Sequence, residues 1–102
     1  MGGQVQIKLR SPYGLSMRPT LREGDLLLVR TGGAVRPGRL VVVRLPDGVV
    51  AVKRATHRVA DGWWVERDNP AVGVDSWRVG AVPAANVVGV VLARIWPLRR
   101  RG

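Results

Sequence analysis

A serine hydroxyl becomes a nucleophile only when a base and an oxyanion site stand beside it. One loop of this chain has residues suited to such an arrangement. In Gly14-Leu15-Ser16-Met17-Arg18-Pro19-Thr20-Leu21, followed by Glu23-Gly24-Asp25, Ser16 has a glycine two residues before it and a proline three after. A tight bend there can hold the hydroxyl exposed while the backbone N–H of Ser16 points the same way. The same residues also describe a solvated loop serine or one that caps a turn, so the base has to be sought elsewhere in the chain.

The cations narrow that search. Of 17 Lys and Arg residues, 15 are Arg, and the two lysines are Lys8 and Lys53. Arginine keeps its proton in any protein setting, whereas a desolvated lysine can lose its own: its reference pKa of ~10.4 falls by as much as ~3–5 units on burial. Lys53 lies in Val49-Val50-Ala51-Val52-Lys53-Arg54-Ala55, where strand alternation puts it on one face with Val49, Ala51 and Ala55. A Ser–Lys dyad is a known variant of the catalytic triad. The competing reading is a strand lysine whose stem covers apolar surface while its ammonium reaches water. His57, the single histidine, is the alternative base, with Asp68 or Asp75 to orient it. On a regular strand it shares the face of Lys53 and lies ~13 Å further along, so the two cannot serve one serine.

These side chains must be carried by strands. Nineteen Val and no Phe favour a pleated surface, and Val5, Ile7 and Leu9 alternate with Gln4, Gln6, Lys8 and Arg10. Further strands are expected over 25–30, 39–45, 48–59, 63–67 and 87–96. They are separated by turns at Thr31-Gly32-Gly33, Arg36-Pro37-Gly38, Pro46-Asp47-Gly48 and Asp61-Gly62. Successive strands are expected to pair as antiparallel hairpins, with one helical turn over 19–23. The fold class is all-β: a small, twisted, antiparallel, barrel-like sheet in one domain over residues 1–102, ending in a short basic tail at 97–102.

Composition sets further limits. The absence of Cys excludes a disulfide framework and a thiolate metal site, and one His cannot assemble a zinc site without several carboxylates, so no metal and no cofactor are expected. The uncharged stretch over 80–93, interrupted by Pro83 and Asn86, is shorter than the ~20 residues of a spanning helix. The N-terminal residues lack the apolar core of a signal peptide, which makes a cytoplasmic protein the expectation.

Taken together, these motifs resemble the catalytic core of type I signal peptidases and their relatives. They run in family order as Gly14-x-Ser16-Met17-x-Pro19-Thr20-Leu21-x-x-Gly24-Asp25, Lys53-Arg54, Asp68-Asn69-Pro70, Asp75-Ser76 and Gly80-x-Val82-Pro83-x-x-Asn86-x-x-Gly89. The resemblance covers nearly the whole chain. The short length and Trp63-Trp64-Val65 before Asp68-Asn69-Pro70 look most like the small soluble proteases that mature nickel-type superoxide dismutase.

That resemblance implies Ser16 as nucleophile, Lys53 as general base and the Ser16 backbone N–H as an oxyanion donor. It implies that Met17 packs beside the dyad, that Asp75 fixes the loop near the lysine, and that Asp68 belongs to the supporting set. Cleavage would follow small residues through an acyl-enzyme on Ser16. The chain departs from the pattern where Gly14 replaces a serine that often donates to the oxyanion, leaving backbone donors only. Arg67 stands in place of a glycine, and Gly73 in place of a serine that helps hold the lysine amine, a task Ser76 could take over. Trp77 replaces the arginine after Asp-Ser, with Arg78 one place late, so the salt bridge to Asp75 could shift.

The implied function is a Ser/Lys endopeptidase that removes an N-terminal propeptide or leader from a protein substrate. One alternative is an anchorless leader peptidase at a membrane surface, drawing on the stretch over 80–93 and Arg99-Arg100-Arg101. Another is a basic nucleic-acid-binding module, motivated by the net charge of +10 and by Trp63, Trp64, Trp77 and Trp96. Against it, the arginines read as a general bias of the chain rather than a stripe, and a domain without Phe needs its tryptophans for the core. Nucleic acid is therefore not an expected partner. A self-cleaving repressor domain would need a cleavable segment upstream, and few residues precede Ser16.

Overall fold

The valine-rich segments form one seven-stranded sheet in the computed structural model, which describes residues 3–8, 21, 24–32, 34–68 and 76–96. The strands are β1 (Gln4–Lys8), β2 (Leu26–Thr31), β3 (Leu40–Arg44), β4 (Val50–Val59), β5 (Gly62–Glu66), β6 (Val82–Pro83) and β7 (Val87–Trp96). One helical turn, α1 (Ser76–Val79), and a 3₁₀ turn over Ala84–Asn86 join β5 to β7 through β6. The all-β expectation holds, and the six expected strands are present with ends moved by one or two residues. Strand β6 and α1 were not expected. The helical turn expected over 19–23 lies outside the described residues except for Leu21 and its buried side chain, as does the tail over 97–102.

The sheet order is β1-β2-β7-β3-β4-β5-β6, antiparallel throughout. The expectation that successive strands pair antiparallel holds for β1–β2, β3–β4 and β4–β5 and is corrected at β2–β3, because β7 inserts between them. The connection over 32–39 is too long for a tight turn, which leaves room for β7 to bury both of its edges.

Both faces of the sheet centre are buried. On one, Val41, Val43, Ala51, Ala55, Trp63, Val65, Val82 and Val90 pack together. On the other, Leu27, Val29, Val42, Val52 and Val91 do, joined by Leu21. Alternation along β3 and β4 sends neighbouring residues to opposite clusters, and register shifts in β2–β7, β3–β7 and β4–β5 bend the sheet.

Two glycines are fixed by close approach. A Cβ on Gly89 would meet Arg30 O at 2.6 Å and Val29 Cγ1 at 2.7 Å, so β2 and β7 come together only because residue 89 has no side chain. Gly62 was read as a turn residue, but it belongs to β5, and a Cβ there would strike the Val82 carbonyl oxygen. The β4–β5 turn is instead Ala60-Asp61, with Ala60 at φ 44°.

Candidate active site

Lys53 is the best-defined element of the expected site. It sits in mid-β4 opposite Val41, on the face that carries Ala51 and Ala55 into the core, and is only 2% exposed. The ammonium therefore does not reach water as a strand lysine ordinarily does. Ser16, Gly14, Met17 and Asp75 lie outside the described residues.

The neighbour of Lys53 holds its strand in place. Arg54 points to the opposite face, where Nε donates to Asp68 Oδ1 at 3.0 Å and Nη2 to Asp68 Oδ2 at 2.7 Å. Nη1 donates to the Gly38 carbonyl at 2.9 Å. Hydrogen bonding to Asp68 holds the guanidinium above its ordinary pKa against the opposing effect of partial burial. One side chain thus ties β4 to the loop before β3 and to the segment after β5. Asp68 acts here, through Arg54, and does not orient His57.

His57 is not on the Lys53 face. The register runs Arg54↔Glu66, Ala55↔Val65 and then His57↔Trp64, so Thr56 is an extra residue that flips every later side chain of β4. The shared-face expectation is corrected for that reason. The His57 ring stacks on Trp64 with centroids 6.0 Å apart, and Nδ1 lies 3.1 Å from Thr56 Oγ1. With this partner and an exposed ring, His57 has, among the described residues, no carboxylate of the kind a catalytic histidine uses for orientation.

Ser76 is buried at 1% exposure, and its Oγ accepts the Val65 backbone N–H at 2.8 Å. This bond pins the start of α1 to β5. Beside it, the Trp77 Nε1 donates to Glu66 Oε2 at 2.9 Å, and its ring meets Trp64 edge-on at 5.2 Å. The Trp64 Nε1 donates to the same Glu66 oxygen at 3.3 Å. A tryptophan thus braces the helical turn from the position where the related pattern has an arginine. Glu66 was missed in the sequence, although Trp64 and Glu66, two apart on one strand, share a face that could have signalled it. Only Trp63 of the four tryptophans is core; Trp77 and Trp96 are 76% and 61% exposed, which corrects the expectation that all four serve packing.

Among the described residues no group of His, Cys, Asp or Glu could hold a metal ion. No helix there is long and apolar enough to cross a membrane. What remains is a buried amine on a braced strand, on one face with small apolar side chains.

Comparison with known proteins points to peptidases. The chain is 30% identical to mitochondrial inner membrane protease subunit 1 of Xenopus tropicalis, in an alignment covering 87% of this chain and 69% of that protein. The pattern of the Peptidase S24-like family matches residues 12–92, from before Ser16 to the middle of β7. The chain is therefore a peptidase and belongs to the Peptidase S24-like family.

Proposed function

We propose that the protein is a serine endopeptidase in which Ser16 is the nucleophile and Lys53 the general base. The observation that carries this reading is the burial of Lys53 in mid-β4, opposite Val41 and on the sheet face of Ala51 and Ala55, because removal from water favours the neutral amine that a base must be. Lys53 Nζ takes the Ser16 proton as Oγ attacks the scissile carbonyl, and the Ser16 backbone N–H donates to the developing oxyanion. Collapse breaks the C–N bond, and the Lys53 ammonium returns the proton to the leaving amine. Water, activated by the same amine, then hydrolyses the acyl-enzyme and frees Ser16. Asp68, through Arg54, and Ser76, through Val65, act as positioning residues, with Asp75 and Met17 completing the support.

The substrate in this reading is a protein with an N-terminal extension, and the resemblance of Trp63-Trp64-Val65 and Asp68-Asn69-Pro70 to the maturation proteases favours the precursor of nickel superoxide dismutase. Incubating that precursor with the enzyme and measuring its mass tests both parts. Wild type is expected to shorten it at one site, while Ser16→Ala, Lys53→Ala and Lys53→Arg all leave it intact, the last because arginine keeps its proton. Retained cleavage in any of the three overturns the dyad. Loss of cleavage in all three with a leader peptide, but none of the precursor by wild type, overturns the substrate alone. A second reading, a leader peptidase working at a membrane surface, is favoured by the relative's name and by exposed Trp77 and Trp96. Co-sedimentation with anionic vesicles checks it.

A further inference from the structure

The arginines that look scattered in the sequence converge in space. A cavity of about 300 Å³, floored by Val35, Trp63, Val87 and Val90, has Arg58 on its wall. A second, of about 520 Å³, is lined by Arg30, Arg36 and Arg39. The two share Gly32, Ala34 and Val90, so they form one continuous trench. Among the described residues no Asp or Glu lines it, and none of these four arginines has an acidic partner. The trench also has a defined place relative to Lys53. Residues Arg30, Val90, Val41 and Lys53 form one cross-strand row on one sheet face. Val90 lies two strands, ~10 Å, from Lys53, which is the span of about three extended residues.

We propose that this trench docks an acidic stretch of the polypeptide substrate a few residues away from the scissile bond. The inference rests on the Ser16–Lys53 reading for its position, and on charge and shape for its ligand. Four guanidinium groups around an apolar floor suit a chain that alternates carboxylates with small apolar side chains. The other occupants fit less well. A second copy of this chain carries +10 and is repelled. A flat membrane surface cannot enter a concave trench. Single-stranded nucleic acid needs exposed aromatic faces for stacking, and Trp63, the one aromatic among the described residues of the trench, is 7% exposed.

The test measures binding of a short fluorescein-labelled peptide of alternating Glu and Ala by anisotropy, using the full chain with Ser16→Ala so that nothing is turned over. The Arg30→Glu/Arg36→Glu and Arg36→Glu/Arg58→Glu variants are each expected to weaken binding by about tenfold or more. Lys8→Glu/Arg44→Glu, with the same change in net charge outside the trench, is expected to weaken it by less than about threefold. The Gln-for-Glu peptide is expected not to bind. Equal losses in trench and control variants overturn the proposal, as does tighter, trench-dependent binding of a single-stranded oligonucleotide of equal charge. Because the assay needs no catalysis, its failure is distinguishable from failure of the dyad, which is read by cleavage with Ser16→Ala.

Discussion

At the scale of single residues, a lysine at 2% exposure makes a specific demand on pH. In the proposed dyad only the neutral amine takes the Ser16 proton, so kcat/KM is expected to rise as pH increases toward the alkaline range and to level once Lys53 is neutral; a flat profile argues against an amine base. The Arg54–Asp68 pair does not contaminate that limb. A guanidinium raised above its ordinary value contributes its stabilisation fully below the ordinary guanidinium range and loses it only above, beyond the pH of any such assay. Removing the pair is another matter. Arg54→Ala leaves a mostly buried Asp68 without its two guanidinium bonds and should cost about 1–2 kcal/mol. That corresponds to a melting temperature roughly 5–10 °C lower by calorimetry. Lys53 was legible in the sequence because lysine is rare here and its neighbours are small. The Arg54–Asp68 brace was not, since its partners stand 14 residues apart and meet only after β4 and β5 pair.

The elements fix which faces these residues occupy. Alternation of valines identified the strands but carried no information on which strand lies beside which, and so β7 was placed at the end of a meander rather than between β2 and β3. A one-residue bulge at Thr56 was equally hidden, because a bulge shows in the ladder and not in the hydropathy of one strand. That bulge separates the two candidate bases onto opposite faces. The β2–β7 seam depends on Gly89, where a methyl group would press on the Arg30 carbonyl and Val29. Gly89→Ala is therefore expected to destabilise the protein by about 2 kcal/mol or more, and amide exchange in β2 should quicken before that in β5.

For the molecule as a whole, the net charge of +10 acquires a location. The four trench arginines come from β2, the 32–39 connection and β4, segments with no shared sequence pattern, which is why they read as a general bias along the chain. Sheet order governs integrity at this scale. A chain ending after residue 86 lacks the strand that joins β2 to β3 and is expected to show no cooperative unfolding by circular dichroism, whereas one ending after residue 96 should melt in a single transition.

The central place of β7 also bears on when the protein acquires activity during its synthesis. Among the described strands β7 is the last to leave the ribosome and yet the first requirement for closing the sheet, so assembly must wait for contacts of long sequence separation. A nascent chain can form the β3–β4–β5 meander but cannot fasten β1 and β2, between which Ser16 lies in the sequence, to the half that carries Lys53. If Ser16 and Lys53 act as the proposed dyad, proteolytic capacity is withheld until translation has passed β7, and a chain interrupted before it is expected to be inert.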